Sequence, residues 1–442
     1  MSNKLPCFFA LGGINYKNGF VTSCPQQSDQ LALMEQGIIP SEIINNDNFR
    51  QHRLDLMSGK WPEGCNLCQS VEADNAGRSM RDWREADQSF YDPATGMIDF
   101  KSLKHVELRF SNSCNRACLH CSDVYSSGWI SKLKHYVPDE EDRTHRLIQL
   151  TREVHKKSID EDLEISIDIP EMEKIVNDLN KNFPNIDKID FAGGEVLYQK
   201  QFFPCLAKLA EHPNAKNISL TFHTNFNARF DPAELTRLLR PFGDSKIHIS
   251  IDAGKNIYPY FRTGSWETLV SNLKRFRELN DFTLVGAVCT TSAFQIMDIE
   301  DVFRSLLTLD VEWINGSIAY DPKYINPGVM MFDFKDAVLG DIKKTYKIID
   351  DELARRYADF NNTTQMRSWK PAHREFNDIK SAKLALNNIE SYVKNSTGSQ
   401  YSEFEAFQVF IRKTDVIWKH SFNDYMTNYK FENNKIRRVN HV

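Results

Sequence analysis

Seven of the nine cysteines in this 442-residue chain lie within its first 121 positions: Cys7, Cys24, Cys65, Cys68, Cys114, Cys118 and Cys121. The other two are Cys205 and Cys289. Thiols crowded at such spacings must converge on something, either a disulfide framework or a metal centre. The count is odd, and the opening MSNKLPCFFALGGINYKNGF has only a short apolar run broken by Asn15, Lys17 and Asn18, a poor signal peptide. A cytoplasmic, reducing setting is therefore expected, and in it close cysteines hold metal rather than each other.

The tightest group is Cys114-Asn-Arg-Ala-Cys118-Leu-His-Cys121, directly after the strand-like HVELRF. Three thiolates spaced in this way can wrap one loop around an iron–sulfur cubane and leave its fourth iron open for a ligand. The alternative is a Cys3His zinc site completed by His120, although a histidine between two ligands should point its ring away from their metal. Farther along, Ile189-Asp-Phe-Ala-Gly193-Gly194-Glu195 ends a second strand. Glycines there allow close backbone approach, and a carboxylate can accept hydrogen bonds from an ammonium group.

Between about 103 and 325 the chain alternates strands and helices. Strands are expected at His105–Phe110, Lys188–Phe191, Ile218–Thr224, Lys246–Ile251, Thr283–Thr290 and Trp313–Ala319. Helices are expected at Met172–Asn182, Phe202–Glu211, Pro232–Leu239 and Trp266–Leu279. That rhythm predicts an α/β fold with parallel strands and right-handed crossovers, six units making a partial (β/α)6 barrel. Residues 126–170 form a charged insertion. Residues 1–95 read as a small cysteine-rich α+β module, with a hairpin turning at Asn18-Gly19 and a helix over Asp47–Met57. Residues 333–442 read as a C-terminal helical region, with helices at Lys335–Tyr357, Phe376–Val393 and Phe404–Tyr425. Cys205, Cys289, Trp313, Trp418 and His223 read as core residues, His223 as a hydrogen-bonded one. Lys+Arg number 55 against Asp+Glu 60, and no apolar stretch approaches a membrane span, so neither nucleic acid nor a membrane is an expected partner.

Taken together, Cys114/Cys118/Cys121 and Gly193-Gly194-Glu195 resemble the CxxxCxxC and GGE motifs of the radical S-adenosylmethionine (SAM) superfamily. Thr224-Asn225, Ser250-Ile251-Asp252-Ala253 and Arg262 follow in matching order. Val196 stands where a proline is usual, and His120 where an aromatic residue is frequent. The resemblance implies a [4Fe–4S] cluster on the cysteine triplet and S-adenosylmethionine on its open iron. Gly193, Gly194, Glu195, Asn225, Ser250, Asp252 and Arg262 would form the cofactor-binding set. It further implies reductive cleavage to a 5′-deoxyadenosyl radical, hydrogen abstraction from substrate, and an external low-potential electron donor such as flavodoxin or ferredoxin.

Cys7, Cys24, Cys65 and Cys68 by themselves suit either zinc or a [4Fe–4S] cluster. Their arrangement, with Glu72 and Gly77-x-Ser79-x-Arg81, resembles the twitch or SPASM auxiliary-cluster module, here placed before the core. The expected function is oxidation or modification of a peptide side chain or small polar metabolite. The alternative is a zinc-stabilised, non-catalytic binding protein on a decayed barrel.

Overall fold

The structure is a computed structural model. It describes residues 5–17, 19–28, 30–33, 38–73, 79–122, 125–133, 166–320, 323–362, 377–396, 401–426 and 428–439. Asn18, Gly77 and most of the 126–170 insertion lie outside these residues. The fold is α/β, with a mostly parallel nine-stranded sheet and many helices. The chain divides into two compact units: Met1–Cys114, Glu164–His223 and Arg229–Lys246 form the first, and Asn115–Leu163, Thr224–Ala228 and Ile247–Val442 the second.

In the first unit, β1 (Gly13–Lys17) and β2 (Phe20–Thr22) form the expected hairpin, and Gly19 has φ +92° in its turn. β3 (Ala32–Leu33) extends its edge. β1 also runs parallel to β4 (His105–Arg109), with Gly13 opposite His105 and Lys17 opposite Arg109. The cysteine-rich segment and the first strand of the alternating series therefore share one sheet. β5 (Lys188–Phe191) and β6 (Ser219–Thr224) continue it in parallel.

Registers align Ile14, Val106, Ile189 and Leu220 across one face, and Tyr16, Leu108, Phe191 and Phe222 two positions on. All eight are buried. On the helical layer, Ile169–Asn182 starts where Asp168 caps the Glu171 N–H at 2.8 Å, and it buries Met172, Ile175, Val176 and Leu179 at helical spacing. Strand alternation places His223 on the opposite face from Phe222, and there it is exposed. The expectation of a core histidine is thus corrected.

In the second unit, β8 (Leu284–Thr291) and β9 (Trp313–Ile318) pair in parallel, preceded in the chain by β7 (Asp244–Ser250), whose first residues belong to the first unit. Trp266–Leu279 is a helix capped by Ser265. The C-terminal helices are Met331–Asn362, Asn377–Asn395 and Tyr401–Trp418. The chain then forms a hairpin not anticipated from the helical pattern: Tyr429–Glu432 pairs antiparallel with Lys435–Arg438. Asn433 and Asn434 turn it at φ +52° and +60°, a left-handed pair that asparagine tolerates. Among the described residues no helix is long and apolar enough to cross a membrane.

Candidate functional site

The four N-terminal cysteines meet. Cys7, Cys24, Cys65 and Cys68 line one small cavity in the first unit, with Arg81, Trp61 and His52. Burial raises the Cys7 thiol to about 11, with the Cys68 thiol among the groups acting on it, and pushes Cys24 up further. Cys7, Cys65 and Cys68 all act electrostatically on Cys24. Metal coordination would reverse those shifts, because a coordinating thiol is deprotonated.

Glu72, Ser79 and Arg81 brace this cavity. Glu72 takes a forked pair of hydrogen bonds from Arg81, Nε at 2.9 Å and Nη2 at 2.8 Å, and a third from the Ser79 hydroxyl at 2.5 Å. Burial would raise the Glu72 carboxyl, but these donors outweigh it and hold it below the usual range. Arg81 Nη1 reaches the Pro6 carbonyl at 3.2 Å, next to Cys7. The Asn66–Ala73 helix carrying Cys68 is thereby tied to the segment carrying Cys7. Among the described residues, no three His, Cys, Asp or Glu side chains are gathered as around a single bound metal ion.

The Gly-Gly-Glu turn follows β5 and is stitched to the backbone entering Cys114. Glu195 N–H donates to the Ser113 carbonyl at 2.9 Å, and Gln199 Nε2 bridges the Ser111 carbonyl at 3.1 Å and the Gly193 carbonyl at 2.6 Å. Gly194 has φ +48°, and a Cβ there would lie 2.2 Å from the Ser113 oxygen. Only glycine permits that approach. The Glu195 carboxylate is buried and accepts the Leu197 N–H at 3.1 Å.

Cys118 and Cys121 fall in the second unit, where a set of clamps holds their loop. Leu119 N–H donates to the Phe261 carbonyl at 2.9 Å, Ala117 N–H to the Thr263 hydroxyl at 2.9 Å, and Trp129 Nε1 to the Cys118 carbonyl at 2.9 Å. Arg116 reaches the Thr263 carbonyl at 2.8 Å and Asn227 Oδ1 at 3.1 Å. The Cys118 sulfur lies 3.6 Å from the Arg262 carbonyl.

Arg262 is buried and donates through Nη1 to Asp252 Oδ2 at 2.9 Å, while Asp252 Oδ1 accepts the Thr290 N–H at 2.6 Å. Asp252 sits at φ +46°, a left-handed position uncommon for a residue with a Cβ. His120 stacks on Phe261 with centroids 5.2 Å apart, and its Nε2 is 3.6 Å from Asp252 Oδ2. Asn225 donates to Asn115 Oδ1 at 2.9 Å and accepts the Asn227 N–H at 2.7 Å. Ser250 ends β7. Cys205 is buried as a core residue of the first unit, and Cys289 is buried in β8 beside Asp252, whose backbone its thiol meets in a hydrogen bond.

Arg116, Trp129, Asn227 and Thr263 were not singled out by the motifs. Their partners lie up to 147 positions away and leave no local pattern. Thr263 alone carried a signal, as the residue between Arg262 and Gly264 at a helix end, where it adopts φ +53°.

A parallel α/β sheet, a three-cysteine loop and a Gly-Gly-Glu turn on the approach to that loop together define a class. Residues 108–293 match the model of the radical SAM superfamily. Solved structures that align with the chain include a native anSMEcpe with bound AdoMet, at 16% identity over 59% of this chain and 61% of that one, TM-score 0.37. Another is Streptococcus suis SuiB bound to precursor peptide SuiA, at 12% identity over 66% of this chain and 58% of that one, TM-score 0.34. A histidine-tagged anSMEcpe with bound AdoMet aligns at 14% identity over 73% and 96%, TM-score 0.38. The chain spans less than two thirds of the first two. No curated protein matches it.

Proposed function

We propose that this chain is a radical SAM enzyme that oxidises or otherwise modifies a peptide side chain or a small polar metabolite. Cys114, Cys118 and Cys121 would hold a [4Fe–4S] cluster, and Cys7, Cys24, Cys65 and Cys68 an auxiliary one. Cluster and S-adenosylmethionine together supply a 5′-deoxyadenosyl radical that abstracts hydrogen from an unactivated carbon.

The observation that carries this reading is the contact between its two motifs: the Gly-Gly-Glu turn hydrogen-bonds to, and packs against, the backbone that delivers Cys114. A Gly-Gly-Glu turn alone would be a strand ending, but seated there it can serve the cofactor. Glu195 is assigned to the methionine ammonium. Asp252 fixes the Arg262 guanidinium, which is assigned to the methionine carboxylate. Gly193, Gly194, Asn225 and Ser250 complete the cofactor set. The cavity shared by four thiols supports the auxiliary cluster, which would take an electron from a substrate radical, and an external flavodoxin or ferredoxin would reduce the first cluster.

The test is anaerobic reconstitution followed by S-adenosylmethionine and dithionite. The expected result is brown, iron-containing protein that forms 5′-deoxyadenosine. Stoichiometric zinc without iron would replace this reading with that of a zinc-stabilised binding protein. Glu195→Ala is expected to keep its iron and to bind S-adenosylmethionine more weakly by calorimetry, by about 1.5–3 kcal/mol for a lost hydrogen bond to a charged group.

A further inference from the structure

The sheet of the first unit is apolar on one face only. On the other, registers line up polar residues in successive rows: His105 beside Lys188 and Ser219, then Asn15 beside Glu107, Asp190 and Thr221, then Lys17 beside Arg109. Parallel strands ordinarily read as near-continuous apolar runs because both faces are covered. A charged face in the middle of such a sheet therefore needs a reason.

The first row is satisfied internally. His105 Nε2 lies 2.7 Å from Asp190 Oδ2, and the Lys188 ammonium lies 3.1 Å from the same oxygen. Phe9 and Trp83 pack edge-on against the His105 ring, and Lys188 sits 4.7 Å over Trp83, so this end of the face is closed.

The next rows are only partly satisfied. Asn15 is 1% exposed, and neither its amide oxygen nor its nitrogen has a partner among the described residues. The same holds for the buried Asp190 Oδ1. Arg109 donates to Glu107, but Lys17 beside it has no carboxylate within ion-pair distance among the described residues and donates only to the Pro25 carbonyl at 3.2 Å. Burial, then Arg109, lower the pKa of Lys17, and Glu107 and the Cys24 thiol partly oppose them. Buried polar groups are nearly always paired, and an unpaired one is costly. Asn15 offers a donor and an acceptor at a place where the protein supplies neither partner.

We propose that this face, from Asn15 and Asp190 to Lys17 and Arg109, binds the substrate through a carboxylate and an adjoining hydrogen-bonding group. The proposal rests on the radical SAM reading and names the chemistry of its substrate. Glu107 offsets Arg109 and Asp190 offsets Lys188, so among the described residues of this face Lys17 is the one charge without an ion-pair partner. One positive charge suits a singly charged carboxylate better than a doubly charged phosphate. Asn15 lies two positions back on the same strand face, where its amide can pair with an amide or hydroxyl next to that carboxylate. Lys17 Nζ reaches the carbonyl of Pro25, the residue after Cys24, so the carboxylate lies toward the cysteine cavity, where an auxiliary cluster could accept an electron. The carboxylate can belong to an acidic side chain of a peptide or to a small acid.

Calorimetry on anaerobically purified holoprotein separates these sources with two matched pairs of probes: N-acetylglutamate amide against N-acetylglutamine amide, and an alanine pentapeptide centred on glutamate against one centred on glutamine. At least one acid probe should bind more tightly than its amide partner, and the pair that shows the preference identifies the source. Lys17→Met should erase the preference with a loss of roughly tenfold or more in acid affinity, and Lys17→Arg should restore most of it. Asn15→Leu should weaken acid and amide probes alike without lowering thermal stability, since it replaces an unpaired polar group. Equal affinity within both pairs, no binding of either acid, or a preference that survives Lys17→Met would overturn the proposal. Wild-type 5′-deoxyadenosine formation is measured in parallel. Its absence would refute the radical reading and leave the carboxylate site to be judged on binding alone.

Discussion

The N-terminal cysteines and those of the Cys118–Cys121 loop are positioned by opposite means. Cys7 caps the start of the short Phe8–Gly12 helix, Cys24 follows the hairpin, and Cys65 and Cys68 stand at the start of the Asn66–Ala73 helix; tertiary structure gathers them around one cavity. The Arg81–Glu72–Ser79 fork, partly open to solvent, is the principal brace. Cys118 and Cys121 are neighbours by sequence alone, and the fold's work there is to hold a preformed loop still. It does so with long-range clamps, half-buried at Arg116 and Thr263 and fully buried at the Arg262–Asp252 pair. A site gathered from distant segments depends on its metal to stay assembled, whereas a clamped local loop depends on its clamp.

Breaking the clamp should have the largest effect. Asp252→Ala leaves Arg262 buried without its counter-charge, which costs about 3–5 kcal/mol for a broken buried pair. Urea unfolding should show it, together with weakened S-adenosylmethionine binding and an unchanged N-terminal cluster. Asp252→Asn, which keeps a hydrogen-bond acceptor, should lose less. The corresponding change in the first unit, Arg81→Ala, should cost about 1.5–3 kcal/mol, since it removes charge-assisted bonds that are only partly buried. Iron analysis should then show loss from the N-terminal site on dilution into chelator while the triplet's iron stays. Equal loss from both sites would mean that the two are not separately held.

A smaller effect serves as the control, from a buried carboxylate of the second unit outside the clamp. Burial first, then Asp301, Glu300 and Asp341, raise the Asp298 carboxyl to about 7. Its folded pKa lies above the unfolded value of about 3.9, so its contribution to stability is full below about pH 3.9 and is lost as pH rises through about 7. Asp298→Asn should remove that loss and gain on the order of 1–2 kcal/mol at about pH 8, with little change at about pH 4. Binding of S-adenosylmethionine should not move. A change there would show that the clamp extends farther than Arg262 and Asp252.

What could be read from the sequence follows from the same contrast. Pro232–Leu239 and Trp266–Leu279 were legible to the residue because Asp231-Pro232 and Ser265 mark their starts. The cysteine triplet and the Gly-Gly-Glu turn were legible because each is local. The grouping of Cys7, Cys24, Cys65 and Cys68 was legible from the hairpin and the CxxC turn, whereas the lining of their cavity by His52, Trp61 and Arg81 was not, because it is made by tertiary contacts. The contact of the turn with Ser113 is a tertiary event between two adjacent strands and has no linear signature. The polar rows were present as alternation in His105-Val-Glu-Leu-Arg109, but a parallel sheet is ordinarily apolar on both faces, so the alternation by itself does not show that one face stays polar. The C-terminal hairpin was hidden by the helices before it, although Asn433-Asn434 is a turn signal.

The central claim is that the chain holds two clusters with separate tasks, and a crossed pair of variants tests it most directly. Iron and 5′-deoxyadenosine are measured together in Cys118→Ala and in Cys65→Ala/Cys68→Ala, each reconstituted anaerobically and reduced with dithionite. Wild type should hold about eight irons and each variant about four, one cubane fewer. Cys118→Ala should form no 5′-deoxyadenosine, and the double variant should still form it. Undiminished iron in the double variant, or S-adenosylmethionine cleavage that persists in Cys118→Ala, would contradict the account.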